Sequence, residues 1–227
     1  MTNKFNLPIT TTVHNIQQRS DEWLSLKAGR LSGSMINDFI SLDKRKSKTV
    51  GYNVYSFKGD IYPKINKLIA TKLLGFEENP VIVNDTMLRG QELEPIAKSK
   101  YLQSLQGFDI LSDVGFITKG DILGYSPDGL MNNDTLIEIK CPLLHTHLGY
   151  LLDNKIPDQY TGQIQLGLYI TGYKKAKFIS YYPLEDLREQ QLVVIDVEPD
   201  LEYFNKIIEL EEKILMHYAL ISNNIGG

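Results

Sequence analysis

A chain of 227 residues, 42% hydrophobic and 23% charged, has ample apolar material for one α/β domain over 1–227 and excludes a disordered or fibrous protein. Its single cysteine, Cys141, excludes an internal disulfide, a zinc ribbon and a four-cysteine iron–sulfur cluster, and fits a reducing, cytoplasmic compartment. The net charge of −4 argues against a protein that coats nucleic acid through a global positive field, although basic runs at Lys44, Arg45, Lys46 and Lys48 and at Lys174, Lys175 and Lys177 leave room for local basic surfaces.

Residues Met1 to Thr12 are polar and do not read as a secretion signal, and no run reaches the roughly 18 apolar residues of a membrane span. Ser20 is placed to cap a first helix carrying Trp23, Leu24 and Leu26 on its apolar face, with Trp23 read as core. Gly29 interrupts it, and Ser32 or Ser34 can cap a second helix toward Phe39. Asp43 to Asp60 is polar and reads as a mobile loop. Ile65, Leu68, Ile69 and Leu73 share a helical face that ends at Gly75. Asn84 or Asp85 opens a helix through Leu105, with Leu88, Ile96, Tyr101 and Leu105 as core positions and Pro95 as a kink or break.

The middle of the chain changes period. Asp113 to Thr118, Ile122 to Tyr125 and Thr135 to Cys141 read as strands, the last two joined by the turn Met131-Asn132-Asn133-Asp134. A helix over Asp158 to Ile170 turns Tyr160, Ile164, Leu166 and Leu168 inward, and strands follow over Lys177 to Tyr182 and Gln191 to Val197. A closing helix from Pro199 to about Leu220 repeats Leu201, Phe204, Ile207, Leu210, Ile214 and Tyr218 at three- and four-residue intervals. This order makes an α/β sandwich with a mixed sheet.

The chemistry concentrates in Ser126-Pro127-Asp128-Gly129-Leu130 and Leu136-Ile137-Glu138-Ile139-Lys140. In a strand, Glu138 and Lys140 share one face while Ile137, Ile139 and Cys141 take the other. If the two segments pair as a hairpin, the Asp128 carboxylate reaches the same point as Glu138. Convergent carboxylates are what Mg²⁺ or Mn²⁺ needs, and the metal can polarise a phosphodiester and activate water beside Lys140. An apolar strand does not carry a Glu and a Lys on one face without a partner or a purpose. Upstream, Lys27, Arg30 and Ser34 at the helix junction supply cations, a hydroxyl and free backbone N–H groups, the ingredients of a phosphate pocket. His145 and His147 sit in an expected loop with spacing that is poor for zinc, and Cys141 is expected to pack inward.

Asp128 with Glu138-Ile139-Lys140 resembles the PD-(D/E)XK nuclease motif, and the neighbouring blocks narrow the resemblance to the lambda-type phage exonucleases, or YqaJ-like viral recombinases. Those blocks are Trp23 with Lys27-Ala28-Gly29-Arg30 and Ser34; Arg89-Gly90 with Glu94, Ala97 and Tyr101; Ser126 to Leu130 with Glu138, Lys140, Cys141 and Pro142; and Tyr160 with Gln163-Ile164-Gln165. The resemblance implies a restriction-endonuclease-like core, a central mixed β-sheet flanked by α-helices. It implies that Asp128 and Glu138 bind Mg²⁺, that the Ile139 carbonyl adds a ligand, and that Lys140 is the catalytic lysine. Glu94 matches a helical glutamate supporting a second metal or its waters. Gln163, preferred over Gln165, matches a glutamine that positions the nucleophile or Lys140. Lys27, Arg30, Ser34 and Ser126 become the anchor for a 5′-terminal phosphate; Lys27 stands where related enzymes tend to carry arginine, and Arg30 is placed to compensate. The activity implied is 5′→3′ exonucleolysis of double-stranded DNA leaving a 3′ single strand, by a homotrimeric ring with a single-strand annealing protein as partner, from a phage or prophage. A PD-(D/E)XK endonuclease and a non-catalytic DNA-binding recombination protein are the alternatives.

Overall fold

The computed structural model describes residue 5 and residues 7–80, 82–105, 107 and 109–225. Strand β1 (Thr11–His14) precedes helix α1 (Asp21–Lys27), whose cap Ser20 accepts from the Trp23 amide. Gly29, at φ 67°, turns the chain into β2 (Leu31–Ser32) and α2 (Gly33–Phe39). The segment expected to be a loop is structured. Strands β3 (Ile40–Leu42) and β4 (Tyr55–Phe57) pair antiparallel around helix α3 (Lys44–Val50). Asp43 Oδ1 accepts from the Lys46 amide and Gly51 closes the helix at φ 81°, so caps at both ends make a helix that hydrophobic period does not reveal. The basic run therefore lies along an exposed helix.

Helix α4 (Tyr62–Leu74) buries Ile65, Leu68 and Ile69 and stops at Gly75, but Leu73 is exposed. Helix α5 (Asp85–Ser104), capped by the Asn84 side chain on the Met87 amide, runs through Pro95 without a break. It rests on the sheet through Ala97 and Tyr101, which leaves Leu88 and Ile96 on its outer face, exposed rather than core.

Strands β5 (Leu111–Ser112), β6 (Phe116–Lys119), β7 (Leu123–Tyr125), β8 (Gly129–Met131) and β9 (Thr135–Lys140) follow. Asn132 and Asn133, both left-handed at φ 53° and 58°, make the two-residue turn. It joins β8 to β9, not β7 to β9 as expected, because Gly129-Leu130-Met131 itself forms a strand that pairs with β9. Helix α6 (Leu144–Asp153) occupies the stretch read as a loop around His145 and His147, and α7 (Asp158–Thr171) follows. Strands β10 (Lys175–Tyr181) and β11 (Leu192–Val197) flank a 3₁₀ segment, and α8 (Leu201–Ile225) closes the chain with Ile207, Leu210 and Ile214 buried and Leu201 exposed.

The five-stranded sheet has the order β11-β10-β9-β8-β5, and the four-stranded sheet β1-β6-β7-β2. Strands β9 and β10 are parallel and their neighbours antiparallel. A parallel pair needs a crossover, which α6 and α7 supply. The five-stranded sheet is packed on both faces: Leu136 and Phe178 join the larger apolar cluster with α7 and α8, and Ile137, Ile139 and Ile179 join Ala97 and Tyr101 of α5. This is the expected α/β architecture of mixed sheet flanked by helices. Residues 126–128 carry the chain from one sheet to the other, which places Asp128 at their junction.

Candidate active site

Strand β9 is buried along nearly its whole length, so its alternation decides where each charge goes. Ile137 and Ile139 face α5, and Glu138 and Lys140 face α7. The β8–β9 register pairs Gly129 with Ile137, which brings Asp128 alongside Glu138, and Asp128 Oδ2 accepts from the Ile139 amide at 2.6 Å. Glu138 is 0% exposed. Its Oε2 accepts from the Tyr125 hydroxyl at 2.6 Å, and its Oε1 accepts from both Lys140 Nζ and Gln163 Nε2. The Lys140 ammonium also lies 5.3 Å from the centre of the Tyr160 ring.

The surroundings strip water from Asp128, and the carboxylates of Glu138 and Glu94 add repulsion, so its acid is pushed up to about 8 despite Lys140 and the Ile139 amide. Burial works to lower the Lys140 pKa, but Glu138 and Asp128 outweigh it and hold the ammonium above the ordinary lysine range. Burial and then Glu138 raise the Tyr125 phenol well above its usual value, so it remains a donor.

These groups form the floor of a cleft of about 210 Å³. Glu94 reaches it from α5, where Arg19 Nη2 lies 3.4 Å from Glu94 Oε2. Lys27, Ser34 and Ser126 line the same cleft. Trp23, expected in the core, is only partly buried; it borders the cleft, donates from Nε1 to Ser126 Oγ at 2.7 Å, and carries the Lys27 ammonium 4.7 Å above its ring. Burial lowers the Lys27 pKa, with Glu77 opposing. Arg30 does not line the cleft: its Nη1 donates to the Leu26 carbonyl at the end of α1, and it lines a neighbouring cavity of about 410 Å³ that Lys27 also borders.

Gln165 is held away from the site by the Glu198 carbonyl and the Asp200 amide. His147 is buried between the Ser180 hydroxyl and the Gln190 carbonyl, each at 2.8 Å, while His145 is exposed. Cys141 packs into the α5-side cluster, where burial pushes its thiol up to about 12. Among the described residues no group of three or more His, Cys, Asp or Glu side chains gathers as a metal site. The donors that fit a hard divalent cation are instead the Asp128–Glu138 pair. Asp128 Oδ1 has no hydrogen bond among the described residues, and burial together with the neighbouring Glu138 charge, which raise Asp128, leave a buried negative site that a bound cation would neutralise. Sequence reasoning missed Tyr125 and Arg19. The only local signals were the tyrosine directly before Ser126-Pro127-Asp128 and the arginine directly before the helix cap.

No curated protein matches the chain. Among solved structures it is similar to an alkaline exonuclease (LHK-Exo) from Laribacter hongkongensis, with 26% identity, a TM-score of 0.71, and 91% of this chain and 98% of that chain covered. LHK-Exo in complex with dAMP gives 27% identity and a TM-score of 0.70 over the same shares. A phage related exonuclease from Haemophilus somnus 129PT shares the fold at 14% identity and a TM-score of 0.61, over 88% of this chain and 98% of that one. The profile of the YqaJ-like viral recombinase domain matches residues 22–174, a span that holds Trp23, Glu94, Asp128, Glu138, Lys140 and Gln163. The chain belongs to the YqaJ-like viral recombinase family.

Proposed function

We propose that this protein is a metal-dependent DNA exonuclease of recombination, a single nuclease domain that degrades the 5′-phosphorylated strand of duplex DNA from 5′ to 3′ and leaves a 3′ single strand. The observation that carries this reading is the convergence of Asp128, Glu138, Lys140 and Gln163 on one cleft that also holds Lys27, Ser34 and Ser126. Its support in kind is the likeness to an alkaline exonuclease at 26% identity over 91% of the chain.

Asp128, Glu138 and the Ile139 carbonyl would hold Mg²⁺, or Mn²⁺ in its place, with Glu94 serving a second ion or its waters. The ion supplies polarisation of the phosphodiester and a water of lowered pKa. The chain's own residues do the rest. Lys140, fixed by Glu138, places a positive charge where negative charge grows on the phosphate oxygens. Gln163 holds the same carboxylate from α7 and keeps it aligned with Lys140. Lys27, Ser34 and Ser126 grip the terminal phosphate, so the bond presented is one nucleotide from the end. In this reading the protein works in the host cytoplasm as a homotrimeric ring beside a single-strand annealing protein. None of the helices among the described residues is long and apolar enough to cross a membrane.

The test is digestion of linear duplex DNA with a 5′-phosphate or a 5′-hydroxyl, in Mg²⁺ or EDTA, by wild type and Lys140→Ala, with a closed circle as control. Metal-dependent loss of the 5′-phosphorylated linear strand, abolished by the substitution, is expected. Cutting of the circle would replace the exonuclease with an endonuclease, and binding without cutting in any divalent metal would leave a DNA-binding recombination protein.

A further inference from the structure

The small cleft opens into a second, larger space. A groove of about 910 Å³ lies beside it, and Gln18, Arg19, Glu94 and Asp128 line both. Small-molecule pockets run from roughly 300 to 1,000 Å³, so the 210 Å³ cleft has no room for a strand to continue, whereas the groove does. Beyond the junction the groove is lined by Asn15, Gln17, Lys98, Ser99, Gln103 and the acid Asp113. Amides and hydroxyls both donate and accept, which suits sugar and base edges of any sequence, and the lysine suits a phosphate.

Each cation has one carboxylate partner among the described residues. Lys98 pairs at 2.8 Å with Asp113, whose side chain is 80% exposed. Arg19 is half exposed and makes a single contact with Glu94, at 3.4 Å. Its backbone sits at φ 68°, the left-handed region where glycine is at ease and a long side chain is not. Arg19 therefore stands at the meeting point of the two cavities with most of its donors free of other side chains among the described residues.

Building on the exonuclease reading, we infer that the groove is the track for the DNA strand on the 3′ side of the scissile phosphate, with Arg19 binding the next phosphate along and Lys98 one beyond it. With the 5′ nucleotide in the cleft and the scissile phosphate at Asp128, the rest of the strand leaves across the Arg19–Glu94 bridge. Arg19 exchanges Glu94 for the phosphate, a charge-assisted and bidentate partner, and Glu94 is released toward the centre of the cleft.

The experiment compares full-length wild type, Arg19→Gly and Lys98→Ala. Glycine suits φ 68°, so Arg19→Gly is expected to melt no lower than wild type. Its KM for 5′-phosphorylated duplex is expected to rise about tenfold, and the salt dependence of binding to a 5′-phosphorylated single strand, read by anisotropy in EDTA, to fall by about one charge. Cleavage of a 5′-phosphorylated dinucleotide, which has no phosphate beyond the scissile one, is expected to fall by less than cleavage of the duplex, because only the Arg19–Glu94 contact is lost there. Lys98→Ala should follow the same pattern more weakly. Equal losses on dinucleotide and duplex would overturn the track and make Arg19 a group that acts through Glu94. Unchanged duplex KM and salt slope would overturn it outright. A wild type that binds strands through these residues but cuts none refutes the exonuclease reading and leaves the track standing.

Discussion

The Tyr125 hydroxyl donates to Glu138 Oε2 at 2.6 Å, in surroundings where Glu138 is 0% and Tyr125 1% exposed. With Lys140 and Gln163 on Oε1, this gives both oxygens of a buried carboxylate a partner, and an unpaired buried acceptor is expensive. Tyr125→Phe keeps the ring and removes the donor. We expect a loss of about 1–3 kcal/mol in stability by urea denaturation, together with weaker Mg²⁺ dependence curves for cleavage. Wild-type values of both would show that the hydroxyl does not hold Glu138.

Space for the Tyr125 ring is made by glycines on two helices. A Cβ added at Gly167 would lie 2.6 Å from Leu136 Cδ2 and 2.7 Å from Tyr125 Cζ, and one added at Gly33 would lie 2.9 Å from Tyr125 Cε2. Within a helix, alanine is ordinarily better than glycine by about 1 kcal/mol. At Gly167 the clash wins, and Gly167→Ala is expected to destabilise by about 1–3 kcal/mol in the same assay. An increase in stability would mean that the ring has room to move.

Asp128 sets a pH dependence. Its folded acid, near 8, lies above the ordinary value of 3.8, so the metal-free folded protein holds a proton that the unfolded chain releases. That contribution is complete below about pH 4 and is lost as pH rises toward 8. A cation competes with the proton, so Mg²⁺ should raise the melting temperature more at pH 9 than at pH 6, and Asp128→Asn should remove the difference. The check is thermal melts with Mg²⁺ or EDTA at both values; equal shifts would argue that the ion binds elsewhere.

The cleft distinguishes two basic residues that the sequence places three apart. Lys27 lines the cleft above Trp23, whereas the guanidinium of Arg30 is captured by the Leu26 carbonyl. Lys27→Ala is expected to reduce the preference for a 5′-phosphate over a 5′-hydroxyl about tenfold, and Arg30→Ala to leave that preference in place. Rates on paired substrates decide it, and the reverse ranking would return the anchor to Arg30.

Several elements are legible in the chain because their rules are local. Ser20 caps α1 by a contact three residues away, and Gly75 ends α4 in a conformation that glycine adopts freely. The alternation of β9 puts Glu138 and Lys140 on one face whatever surrounds them. Two helices were not legible, α3 for want of an apolar period and α6 for want of a side-chain cap at its start. Helix α3 depends on Asp43 and Gly51 at its ends, and α6 buries His147 against a strand 33 residues later.

The sequence by itself determined the family, the β9 alternation and the residue types that can bind a metal and a phosphate. Only the tertiary structure decided which of them meet. Tyr125 reaches Glu138 because α2 and α7 leave a glycine-lined slot, Gln163 is chosen over Gln165 by the rotation of α7, and Arg30 is turned away by the end of α1. Local dihedral preferences act over a few residues, but a buried polar group takes whichever partner packing brings within hydrogen-bond reach.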